Sequence, residues 1–263
     1  MAVAMLGMAA CSQDANGGGA GAGDEATASI PDSPPIYLDR TVEVLDAQGR
    51  NPLQAGYRMR LDDCRKAGVA TQPLGEDEVT KLGTERWRYW KSGGRIALRV
   101  EHWEEGNPDE GMGAAPASMC AFALKLSGSH DYHDASRSVS VDLETGERYE
   151  DPPVESLFAG EVSGDTGDAS TKWAGWPRPA ESTVAGQPCR QWTSPDGDRL
   201  CLWSGGGKWG FSDDNPGVFD EETGRSLSQL VLSAQQAPGQ RSLRLVTNAF
   251  TVGESFDEKE MLP

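Results

Sequence analysis

The chain has 263 residues, 41 of them acidic against 24 basic, and a formal net charge of −17. No basic stripe is left to neutralise phosphates, so nucleic acid is excluded as a partner, and adsorption to anionic lipid by charge is disfavoured. The length and a 37 % apolar content allow one sizeable core or two small ones.

The first element is an apolar run, Met1 to Ala10, that ends at Cys11. The small residues of Met8-Ala9-Ala10-Cys11 resemble a bacterial lipobox. That resemblance implies a signal peptide cut before Cys11, a diacylglycerol on its thiol, acylation of the new amino group, and attachment to the membrane through lipid. Ten apolar residues are too few to span a bilayer, which takes about 20. No Lys or Arg precedes the run, so the start of the precursor is expected upstream. Ser12, next to the lipid site, is similar to outer-membrane lipoproteins, implying the periplasmic face of the outer membrane. Ser12 to Ser29 holds five Gly, five Ala and no aromatic residue. Such a tract cannot bury enough apolar surface to order itself and reads as a flexible tether. The expected organisation is a signal remnant over 1–10, a lipidated tether over 11–29 and a β-rich envelope domain over 30–263.

Within that domain a short helix is expected from Glu76 to Leu82. Strands dominate after it. Arg86 to Trp90 leads through Ser92-Gly93-Gly94 into Arg95 to Trp103, where Ile96, Leu98 and Val100 share one face, as in a hairpin with one buried side. His130-Asp131-Tyr132-His133-Asp134 is the one cluster with ligand character; imidazoles beside carboxylates make His130 and His133 candidate metal ligands. A solvated polar loop is the competing reading. Ser138 to Leu143 alternates as a strand and ends at a turn near Gly146.

The stretch Asp151 to Ala180 is rich in Pro, Gly and Asp and reads as a long connection between two halves. Arg88 to Leu98 and Arg190 to Leu202 each place Arg-x-Trp before a glycine turn and an apolar return; two similar halves are one reading, and the favoured one is that any hairpin uses these residues. Trp173 and Trp176 lie in the connection, where a rigid aromatic face could grip a sugar or a protein partner. Core packing is the commoner fate for the other tryptophans. The acidic loops Asp165 to Asp168 and Asp213 to Asn215 lack the order of a calcium-binding loop.

Four cysteines remain beyond Cys11, and an even number in an exported chain suggests two disulfides. Three connectivities are open. Cys189 and Cys201 flank the turn signal Ser194-Pro195-Asp196-Gly197 and are the favoured pair; Cys64 and Cys120 follow by elimination. Zinc is the competitor, but no Cys-x-x-Cys spacing occurs. Leu227, Leu230, Val231 and Ala234 follow helical spacing behind Ser226, predicting a helix that Pro238-Gly239 ends. Ser242 to Thr247 is a late strand.

The hairpin carrying Arg95 to Glu101, and Asp142 to Glu147, resemble strands of the lipoprotein-carrier, Lol-type half-barrels. Val184 to Trp192, Leu200 to Trp203 and the ending Phe250 to Glu254 are similar to related exported proteins. The resemblance implies an α+β, β-dominated fold: a curved antiparallel sheet, half-barrel-like, with one or two covering helices and an apolar concavity suited to acyl chains. No Gly-x-Ser-x-Gly elbow, phosphate-cradling loop or His-Glu-x-x-His occurs, so no enzyme activity and no cofactor are expected. The expected role is non-catalytic binding by a lipid-anchored envelope protein, with an apolar ligand as its partner. An adaptor contacting envelope protein or peptidoglycan and a glycan-acting hydrolase are the alternatives.

Overall fold

The computed structural model describes residues 32–106, 120–153, 179–214, 226, 229–237, 239 and 241–263. Cys11 and its tether, Trp173, Trp176 and the loop Asp165 to Asp168 lie outside these described residues.

Eleven strands form one curved antiparallel sheet: β1 (Ile36–Asp46), β2 (Thr84–Ser92), β3 (Arg95–Gly106), β4 (Ala123–His133), β5 (Ser138–Asp142), β6 (Arg148–Asp151), β7 (Ala180–Val184), β8 (Gln187–Thr193), β9 (Arg199–Trp203), β10 (Val231–Gln235) and β11 (Arg241–Val252). Their order is β6-β5-β4-β3-β2-β1-β11-β10-β9-β8-β7. Two meanders, β1 to β6 and β7 to β11, are therefore joined by the first and last strands. Among the described residues two α-helices accompany them, α1 (Pro52–Lys66) and α2 (Glu76–Lys81), both between β1 and β2. The expected α+β, β-dominated architecture is what forms.

Strand alternation sorts the residues into two faces. Ile36, Leu38 and Val42 of β1 align through the register with Trp87 and Tyr89 of β2, Leu98 and Val100 of β3, and Leu245 and Phe250 of β11. These residues belong to two apolar clusters that also take in Leu200, Leu202 and Leu232. Trp87, Trp90 and Trp203 are fully buried, so these three tryptophans are core. The opposite face carries charge in its middle: Arg86 grips Asp39 in a fork of 3.0 and 2.7 Å, and Glu101 pairs with Arg88 at 2.9 Å and Arg99 at 3.0 Å. At one end of that face Phe256 and Met261 cover Trp90 and Tyr132.

Helix α1 has a local cause. Asn51 Oδ1 accepts from the backbone N–H of Leu53 (3.0 Å) and Gln54 (3.2 Å), and Pro52 occupies the first turn, where its missing N–H costs nothing. Tyr57, Leu61 and Cys64 recur at i, i+4, i+7 and are the buried positions. Disulfide Cys64–Cys120 ties this helix to the segment entering β4, within a cluster holding Val79 of α2 and Phe122. The second disulfide, Cys189–Cys201, joins β8 to β9. Cys189 is opposite Trp203 and Cys201 opposite Gln191, so the bond runs diagonally on one face.

Of the helix expected over Leu227 to Ala234, Leu227 lies outside the described residues, and Val231 to Gln235 is instead β10, paired with both β9 and β11. Val231, Leu232 and Ala234 are all buried. A strand with neighbours on both sides and apolar packing above and below loses its period-two alternation, and its residues then satisfy helical spacing by coincidence.

Candidate functional site

Antiparallel pairing brings the end of β1, the start of β2, the end of β3 and the start of β11 to the same edge of the core face. There they enclose, with the first residues of α1, a cavity of about 440 Å3. Val42, Val44, Leu45, Pro52, Leu53 and Leu243 form its apolar wall. Gly83 lets α1 approach: it adopts φ +71°, and a Cβ there would lie 2.8 Å from Asn51 Oδ1 and 2.9 Å from Leu53 Cβ. The amide of Asn51 secures the approach by donating to the carbonyls of Leu82 (3.2 Å) and Gly83 (3.1 Å).

The polar rim is mostly self-satisfied. Asp46 accepts at Oδ1 from the N–H of Gln48 and of Arg50, both 2.9 Å, and at Oδ2 from the Arg50 guanidinium at 3.0 and 2.9 Å. The backbone N–H of Arg50, above all, holds the Asp46 carboxyl below the usual carboxylate range. Glu43 accepts from Arg244 Nε at 2.7 Å. Glu85 accepts from Trp87 Nε1 at 2.7 Å and faces His102 Nδ1 at 3.6 Å. Arg241 completes the rim.

Behind this cavity on β1, two residues deeper on the same face, lies Arg40. It is 1 % exposed, donates from Nη1 to the Val231 carbonyl (3.2 Å), and rests over the Trp87 ring at 5.5 Å. Burial holds its guanidinium down to about 10. Its Nε and the neighbouring Tyr89 hydroxyl have no hydrogen-bond partner in the protein, and burial pushes the Tyr89 hydroxyl up.

His130 and His133 do not converge. Three residues apart on β4, they project to opposite faces, because alternate side chains of a strand point oppositely. His133 Nδ1 sits 2.7 Å from Ser138 Oγ. His130 is buried, its ring 5.9 Å from that of Trp90; burial, then Arg99, pushes its imidazole down to about 4. Asp131 accepts from Ser129 and Ser140 at 2.7 and 2.6 Å, and Asp134 from the turn at Ser136. Among the described residues no three His, Cys, Asp or Glu side chains are grouped to hold a metal. Asp213 and Asp214 both face Arg190, the first at 3.4 Å.

Of the residues picked from sequence, the four domain cysteines are brought together in their two expected pairs. Trp173 and Trp176 lie outside the described residues. Val42, Leu53, Arg241 and their neighbours at the cavity carry no motif; only Asn51-Pro52, a helix-start signal, marks the place. No protein-family model matches the chain, and no curated protein matches it.

Proposed function

We propose that this is an exported cell-envelope protein, anchored through lipid on Cys11, that binds an apolar or acyl ligand without transforming it. The observation carrying this is the cavity at the end of the core face. Its volume falls within the range of about 300–1,000 Å3 typical of small-molecule sites, and a mainly aliphatic wall with few polar groups is the usual composition of such sites. Anchoring and the periplasmic face of the outer membrane rest on the resemblance around Cys11 and Ser12.

The test uses full-length protein carrying Cys11→Ser, so that no detergent is needed, and the fluorescence of 1-N-phenylnaphthylamine as it enters an apolar site. Leu53 is exposed on one side and lines the cavity on the other, so Leu53→Arg is tolerated by the fold and places a charge in the wall. Saturable binding that Leu53→Arg weakens tenfold or more supports the assignment. Binding unaffected by Leu53→Arg, or absent from both proteins, removes it.

A further inference from the structure

The charges around the cavity mouth differ in one respect: the acids are engaged and one cation is not. Asp46 has both oxygens occupied by Arg50 and by two backbone N–H groups. Glu43 is taken by Arg244, and Glu85 by Trp87 and His102. Arg241 is directly opposite Asp46 in the β1–β11 register, the nearest carboxylate by strand pairing, yet Asp46 turns to Arg50 instead. Among the described residues Arg241 forms no ion pair, and it stands exposed at the rim of an aliphatic pocket.

A planar guanidinium with its donors open, beside a wall of Val44, Leu53 and Leu243, matches a molecule that is apolar along its body and anionic at one end. Resting on the binding role proposed above, we infer that the cavity selects a single-chain amphiphile with one carboxylate head, the chain against the aliphatic wall and the head on Arg241. The alternative polarity is disfavoured, because a cationic head would meet Arg241 while the carboxylates it needs are already engaged. The net charge of −17 does not oppose this locally: screening confines that field to about 8 Å at physiological ionic strength.

The experiment measures displacement of 1-N-phenylnaphthylamine from the full-length Cys11→Ser protein at mildly alkaline pH. Decanoate, decanol and decylamine are compared below their micelle concentrations. Decanoate is expected to bind about tenfold more tightly than decanol, and decylamine more weakly than either. Arg241→Gln should erase the preference for decanoate over decanol, and Arg241→Lys should restore part of it. Arg50→Gln releases Asp46 to pair with Arg241 and should also reduce the preference, although Arg50 itself need not touch the ligand.

Equal binding of decanoate and decanol, or a preference that survives Arg241→Gln, overturns the head-group assignment and leaves the apolar cavity standing. Preferential binding of decylamine overturns it too. Tighter binding of a two-chain phosphatidate than of decanoate overturns the single-chain assignment. Failure of all three decyl compounds to displace the probe overturns the apolar-cavity assignment together with this one.

Discussion

Replacing Arg40 with Met addresses the least compensated charge in the core. Burial holds the guanidinium at about 10, more than two pH units below its ordinary value. At about 1.4 kcal/mol for each pH unit, keeping it charged in the folded protein costs about 3 kcal/mol at neutral pH. Against this stand one hydrogen bond to the Val231 carbonyl and the stacking on Trp87. Such contacts contribute about 1–2 kcal/mol each, and the nearby Asp39 carboxylate adds an attraction smaller than the burial penalty. Met keeps a long flexible stem, so packing is largely retained, while the penalty and both contacts vanish together. The expected change is within about 1 kcal/mol of zero in either direction, because removing a buried charge together with its contacts differs from breaking a pair and leaving one partner behind. Urea unfolding followed by tryptophan fluorescence gives the value from the shift in midpoint. The wild-type penalty is full below about pH 10. It is relieved as pH rises above the folded value of about 10 toward the higher unfolded value, so the gap between variant and wild type should narrow at strongly alkaline pH. A loss of more than about 3 kcal/mol on Arg40→Met, the size seen when a compensated buried pair is broken, would refute this accounting.

Three further outcomes follow from the geometry. His130 is held neutral at about 4 when folded against 6.5 unfolded. Only the unfolded chain therefore gains a proton as pH falls through that window, and up to about 3 kcal/mol of stability is lost between the two values. His130→Phe should move the acid-unfolding midpoint to lower pH, and an unchanged acid limb would count against the burial of this ring. The disulfides close loops of different length, with sequence separations of 56 and 12. Loop entropy gives about 4 kcal/mol for Cys64–Cys120 and about 3 kcal/mol for Cys189–Cys201. Removing each pair by Cys→Ser and comparing chemical-denaturation midpoints should show the first loss to be larger; a reversed order contradicts the entropic account. Gly128 in β4 has φ +127°, and a Cβ there would lie 2.1 Å from the Val100 carbonyl oxygen. Gly128→Ala should cost about 2 kcal/mol or more, and an unaltered melting temperature would disprove the close approach of β3 and β4 at this point.

Local signals in the sequence marked the hairpins. Ser92-Gly93-Gly94-Arg95 turns β2 into β3, with Ser92 and Arg95 paired, because two glycines accept the backbone of a tight turn. The Cys189–Cys201 pairing was legible for the same reason, since a hairpin brings its own arms together. Helix α1 was legible in principle from Asn51-Pro52 and from Tyr57, Leu61 and Cys64, but its polar residues mask the stripe. The His130 and His133 cluster reads as loop or ligand pair because its polar residues hide a strand, and on a strand residues three apart face opposite sides. The cavity was not legible at all. Val42 meets Leu245, and Glu85 meets His102, only through pairings set by the whole sheet, and no local pattern encodes which strand ends will share an edge.

The seam between β1 and β11 has a consequence for how the molecule must be made. Ile36 pairs with Val252 and Asp46 with Arg241, so the middle of the sheet is stitched from residues about two hundred positions apart. Closing so long a loop is entropically late, and folding dominated by such contacts is slow. Until β11 arrives, the central strand β1 presents an open edge, a template for pairing with another chain. A chain stopped before Arg241 would therefore lose more than one strand: it would expose its own centre. Its predicted fate is aggregation, and any helper that holds this chain while it folds should act on β1 until the last strand docks.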